Sequence, residues 1–340
     1  ENVIQVNYIY GVPIRSGPLD NEQLKKAVMR YGAVYTTVYV SDRNHNIYRN
    51  DTSSINHAVS IIGWDDNYSR ENFKNKPAGD GAFIVKNSWG ISKTTSEYYY
   101  VSYYDTTILT GIDNMIECGG ITFKFDNEKY DKQYHYDYSG ISDWYIPVDN
   151  IATYSNEYEI EENEIIKAFG TYVFDITANV NYTAKIYLNN KLQSIKIGSF
   201  DQNYVYQKID INPVNAKAGD MVRVELTVQS DKTTGIPVES AYYSRFVPNN
   251  LSKINNKSYP DTIAVLKIYS QKATTQINIE EYTETQITVN VINPDYEPVD
   301  EGEIQIKYED EILDEIAVNS TSTIIDTTVY DKPSITINYN

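Results

Sequence analysis

The side chains best suited to chemistry fall in one stretch, Ile55–Gly90. It opens with Ile55-Asn56-His57-Ala58-Val59-Ser60-Ile61-Ile62-Gly63-Trp64-Asp65. It closes with Gly81-Ala82-Phe83-Ile84-Val85-Lys86-Asn87-Ser88-Trp89-Gly90. Each half is a short apolar run with a polar residue at one edge, His57 before the first run and Asn87 after the second. Runs of this kind, bounded by turn residues, read as buried strands. Two such strands, antiparallel, bring an imidazole beside a carboxamide. A histidine oriented by an asparagine serves a thiol nucleophile: the imidazole moves the proton and the amide fixes the ring.

That chemistry needs a cysteine, and the chain has one, Cys118. It lies downstream of the motif pair and reads as a small buried hydrophobe rather than as the nucleophile. A single cysteine also excludes a disulfide framework within the chain. The other histidines lack such partners. His45 reads as a loop residue. His135 sits among tyrosines, where it is structural or lines a sugar-binding face. Asp65-Asp66-Asn67 and the carboxylates of Asp143 and Asp149 offer oxygen ligands but no EF-hand spacing. They read as solvated turns, so neither a metal nor a cofactor is expected.

The elements that position the pair follow from pattern. Residues 1–18 are extended and end in Gly17-Pro18. A helix follows, with Leu19 as a staple residue, Asp20 as N-cap and Gln23 closing a capping box. Leu24, Ala27, Val28 and Tyr31 give it one apolar face, and Gly32 stops it. Ala33–Val40 reads as a strand and Asn44–Asp51 as a polar loop. A long polar loop joins Trp64 to Asp80, either a cleft wall or a surface insertion. Ser96–Tyr104 is a further strand, and Asp105–Gly120 a less regular exit.

From about Ile121 helical periodicity gives way to β alternation. Tyr182, Ala184, Ile186 and Leu188 alternate with polar residues, and so do Val222, Val224, Leu226 and Val228 after the turn Lys217-Ala218-Gly219-Asp220. Regular strands with turn signals between them point to a sandwich. A second boundary falls near Ser270–Thr275. Beyond it Ile287, Val289 and Val291 alternate, then Ile304, Ile306 and Tyr308, then Ile335, Ile337 and Tyr339. The expected fold class is multidomain, α+β followed by all-β, with units at 1–120, 121–271 and 272–340.

Leu19–Asp105 resembles the C-terminal, β-rich half of papain-like cysteine peptidases. The resemblance rests on Asn56-His57-Ala58-Val59 with Gly63-Trp64, and on Lys86-Asn87-Ser88-Trp89-Gly90, in that order. It implies that His57 is the base and acid, Asn87 the orienting amide and Trp89 the shield over their bond. It also implies that the nucleophilic cysteine and an oxyanion glutamine belong to an upstream half. The chain begins at Glu1 and enters strand-like sequence at once, so it reads as a fragment, inactive alone. Tyr134-His135-Tyr136-Asp137-Tyr138-Ser139-Gly140, Tyr182–Tyr187, Pro213-Val214 and Ala218-Gly219-Asp220 resemble the lectin-like β domain that follows papain-like domains in microbial, archaeal-type surface proteins. Residues 275–340 are similar to Ig-like repeats of surface adhesins, short or truncated.

Composition bounds the partners. The chain of 340 residues carries 47 Asp+Glu against 29 Lys+Arg, a net charge of −18. That balance argues against a nucleic-acid partner. No apolar run reaches membrane-spanning length. The 33 tyrosines suit half-buried sheets, and Tyr134, Tyr136, Tyr138, Trp144 and Tyr145 could stack on sugar rings. Six N-x-Ser/Thr sequons occur, at Asn50, Asn67, Asn181, Asn250, Asn256 and Asn319. The expectation is a secreted or cell-surface peptidase part acting on peptides or proteins, with a cell-wall or glycan ligand for 121–340. The competing expectation is a non-catalytic adhesin that reuses the scaffold.

Overall fold

The computed structural model describes residues 6–41, 46–51, 54–89, 97–112, 118–125, 130–147, 149–242, 250–318, 322–332 and 334–339. His45 and the sequon at Asn319 lie outside them.

The first unit contains β1 (Tyr8–Val12), α1 (Glu22–Tyr31), β2 (Val34–Val38), β3 (His57–Asp65), β4 (Ala82–Asn87), β5 (Tyr98–Ser102) and β6 (Gly120–Lys124). Alternation places Val34, Val38, Val59, Ile61, Phe83, Val85 and Val101 on one sheet face. There they form a core with Leu24 and Ala27 of α1. The helix start differs from the expectation. Asn21 is at the cap and makes no capping bond. Asp20 is diverted, because its carboxylate accepts from the Ser16 amide (3.0 Å) and hydroxyl (2.8 Å). Leu19 is 73% exposed, so no staple forms.

The place of an N-terminal anchor is taken by a long-range contact. The Arg15 guanidinium donates to Pro18 O, Asn21 Oδ1, Tyr103 O, Asp105 O and Ile108 O. It ties the extended entry and the helix start to the strap after β5. Burial holds Arg15 below its ordinary value, at about 10.

The second unit holds β7 (Lys132–Tyr134), β8 (Asp143–Tyr145), β9 (Ile151–Glu159), β10 (Glu164–Tyr172), β11 (Val180–Leu188), β12 (Lys191–Ser199), β13 (Tyr204–Ala216), β14 (Met221–Ser230), β15 (Ile236–Ser240), β16 (Ser252–Ile254), β17 (Thr262–Ala264) and β18 (Leu266–Lys272). A five-stranded sheet runs β12-β11-β14-β9-β16. Its inner face supplies Tyr182, Ala184, Ile186, Val222, Val224, Leu226 and Val228, which pack on Ile166, Phe169, Leu266 and Ile268.

The main sheet does not stop at a unit boundary. Its order is β5-β4-β3-β2-β6-β1-β13-β10-β18-β7. β1 lies between β6 and β13, with Tyr8 opposite Gln207 on one side and Lys124 on the other. Thus β6, which spans residues 120 and 121, is a strand of the first unit's hairpin layer, and β1 is shared with the second. Tyr8, Tyr10, Tyr31 and Tyr204 meet over this seam, with ring centroids 5.1–5.8 Å apart.

The third unit has β19 (Gln276–Tyr282), β20 (Gln286–Ile292), β21 (Glu303–Tyr308), β22 (Glu311–Ala317), β23 (Thr323–Asp326) and β24 (Thr336–Tyr339). They form two three-stranded sheets, β19-β20-β23 and β22-β21-β24. Val289, Val291, Ile304, Ile306, Val318 and Ile325 fill the space between. None of the described helices is long and apolar enough to cross a membrane.

Candidate active site

Strand register brings the two motifs together. β3 and β4 are antiparallel, and Asn87 stands opposite Val59. His57 is two residues before Val59, so it shares that face and is a diagonal neighbour of Asn87, within reach of a long side chain. The contact is made: His57 Nε2 lies 2.9 Å from Asn87 Oδ1. Asn87 Oδ1 also accepts the Trp89 amide, at 3.4 Å. A carboxamide oxygen only accepts, so the imidazole proton must sit on Nε2. In the neutral ring the lone pair is then on Nδ1, which makes Nδ1 the basic position.

The surroundings fix that arrangement. Asn87 is 5% exposed, and its backbone N–H donates to Glu97 O at 2.8 Å. The Trp89 ring centroid is 4.1 Å from that of His57, with the planes 37° apart. Trp89 remains 42% exposed, so it covers the pair on one side and meets solvent on the other. Exclusion of water there strengthens the imidazole–amide bond.

Asn56 has a part that the sequence did not disclose. β2 and β3 pair as far as Val38 opposite His57. One step further, Asn56 Nδ2 donates to Val40 O (3.0 Å) and Asn56 Oδ1 accepts from Val40 N (2.8 Å). The side-chain amide imitates a peptide unit and adds a rung beyond His57, which keeps the histidine off a frayed strand end. At this end of the hairpin, Tyr35, Ala58, Val59, Ser60, Lys86, Asn87 and Ser88 line a depression of about 240 Å³.

The remaining sequence candidates lie elsewhere. Cys118 is fully buried with Ile112, Ile176 and Val205. Burial pushes its thiol up to about 12, the reverse of what a nucleophile needs. The loop from Asp65 to Ala82 closes the far end of the hairpin, roughly 25 Å from His57 at ~3.3 Å per strand residue. It is packed against the sheet, with Phe73 buried and Tyr68 stacked on Tyr100 of β5 at 3.8 Å. Asp66 is taken up by Lys25 (2.5 Å) and by the Tyr103 hydroxyl (2.8 Å). Among the described residues no group of three or more His, Cys, Asp and Glu is arranged to hold a metal.

Most of the aromatics named for sugar stacking are committed internally. The Tyr134 hydroxyl donates to Glu164, Tyr136 stacks on Tyr158, Trp144 packs on Phe174 and Tyr145 on Tyr259. Tyr138 is the exception, at 80% exposed. His135 Nδ1 donates to Asp137 O at 2.7 Å.

Residues 2–119 match the model of the papain family cysteine proteases. Two solved structures of one clostridial protein are similar over most of the chain. The cysteine protease Cwp84 after propeptide cleavage is 23% identical, with a TM-score of 0.60, over 79% of this chain and 71% of that one. The cysteine protease and lectin-like domains of Cwp84, described as a surface layer associated protein of Clostridium difficile, are 22% identical. The TM-score there is 0.56, over 80% of this chain and 64% of that one. The chain therefore spans under two thirds of the length of the second. At these identities the likeness is one of fold. No curated protein matches the chain.

Proposed function

We propose that the first unit supplies the histidine and asparagine half of a papain-like cysteine peptidase site, with the nucleophile contributed from outside this chain. The observation that carries the reading is the 2.9 Å contact between His57 Nε2 and Asn87 Oδ1 beneath Trp89. In this reading Nδ1 faces the incoming thiol and takes its proton. The imidazolium then keeps the thiolate ionised and returns the proton to the leaving amine. Asn87 holds the ring through both states, and Trp89 keeps water from its bond. Cys118, buried and fully protonated at neutral pH, takes no part.

The substrates are peptides or proteins and the site of action is the cell surface, a reading supported by the clostridial relative's description as surface layer associated. The second and third units are the docking part of the machine. The test is hydrolysis of an unstructured protein such as casein by the native protein that contains this chain. Turnover is expected, with His57→Ala lowering it by on the order of 10²–10⁴-fold. Activity that survives His57→Ala would sink the reading, and a native protein that hydrolyses nothing would favour a non-catalytic surface adhesin.

A further inference from the structure

The third unit joins the second through a turn that breaks a local rule. Asn293-Pro294-Asp295-Tyr296-Glu297 links β20 towards β21, and Tyr296 has φ +62°. The left-handed region disfavours a bulky side chain, and a residue held there points to something gained elsewhere. The turn is held from within by Asn293, whose Oδ1 accepts from Asp295 N (2.9 Å) and Glu297 N (3.0 Å) and whose carbonyl accepts from Tyr296 N (2.9 Å).

The gain is on the neighbouring unit. The Tyr296 hydroxyl lies 2.5 Å from Glu164 O and 3.3 Å from Ala216 O. Those carbonyls belong to residues paired across β10 and β13 at the end of the second unit's sheet. Next to them Asn163 binds three segments at once. Its Nδ2 donates to Asp295 Oδ1 (2.7 Å), its Oδ1 accepts from Ala218 N (3.0 Å), and its carbonyl accepts from Ala273 N (2.9 Å) in the linker. Lys217 and Glu297, 3.6 Å apart, flank the contact.

We propose that Tyr296 and Asn163 form a lock that fixes the third unit at one angle to the second. The third unit is then a rigid extension of the second and not a module swinging on residues 273–275. Left-handed backbone at Tyr296 aims the ring at the sheet end, and Asn163 anchors the linker and the turn to the same corner. The partners are polar, so the lock gives orientation without a large apolar interface.

The full chain tests this by backbone ¹⁵N relaxation, which gives a tumbling time for each unit separately. In the wild type all units share one time. Tyr296→Asn keeps a residue tolerant of the left-handed turn and removes the hydroxyl and ring. With Asn163→Ala it is expected to shorten the third unit's tumbling time by about twofold, while its amide shifts inside β19–β24 stay in place. Faster cleavage within 273–275 by a non-specific protease should accompany the change. Independent tumbling of the third unit in the wild type overturns the proposal. So does an unchanged tumbling time in the double variant.

Discussion

At the scale of single residues, the chemistry of the site turns on which imidazole nitrogen carries the proton. The shared acceptor Asn87 Oδ1 places it on Nε2. A ¹⁵N imidazole spectrum of the chain should therefore show His57 as the Nε2–H tautomer, with a slowly exchanging ring proton. Asn87→Ala should speed that exchange by tenfold or more, and an Nδ1–H tautomer would contradict the geometry. Cys118 allows a second test. Its thiol is raised to about 12, against about 8.5 for a free thiol. Its folded value lies above the unfolded one, so its contribution to stability is complete below about pH 8.5 and is lost as pH rises towards about 12. Iodoacetamide should leave it unmodified in the folded chain at pH 8 and modify it once urea unfolds the protein. The pair His57 and Asn87 was legible in the sequence because each ends an apolar run. Arg15 was not, since three of its five acceptors lie 88–93 residues away.

At the scale of elements, alternation identified the strands better than local chemistry identified their ends. Val222, Val224, Leu226 and Val228 face inward as their spacing requires. The helix cap moved by one residue because Ser16 competes for Asp20, and a capping motif read from sequence cannot show such a competitor. Close packing also sets requirements that no pattern displays. A Cβ at Gly170 would sit 2.2 Å from the Tyr206 hydroxyl and 2.9 Å from Tyr269. Those tyrosines are 5% and 4% exposed and bonded to each other, so they have little room to shift. Gly170→Ala should cost about 1–3 kcal/mol, measured as a lower urea midpoint with an unchanged slope. A midpoint equal to the wild type's would show that the sheet yields there more easily than its burial implies.

At the scale of the whole molecule, the continuous ten-stranded sheet couples the candidate site to the β unit behind it. β1 needs both β6 and β13, and only a long-range pairing of residues 8–10 with 204–207 reveals this. No periodicity in the sequence contains it. A chain cut at 120/121 should thus expose the β1 edge. The 1–120 fragment should show hydrogen exchange at Tyr8–Val12 as fast as in an unfolded peptide, whereas these amides are protected in the full chain. Protection retained in the fragment would show that the first unit stands alone. In the proposed function His57 and Asn87 serve a cysteine that this chain does not provide. The most direct measurement is peptide mapping of the native protein containing this chain after reaction with an epoxide thiol inhibitor. The adduct is expected on a cysteine outside these 340 residues, and is expected to be lost in His57→Ala. An adduct on Cys118, or one indifferent to His57→Ala, would contradict it.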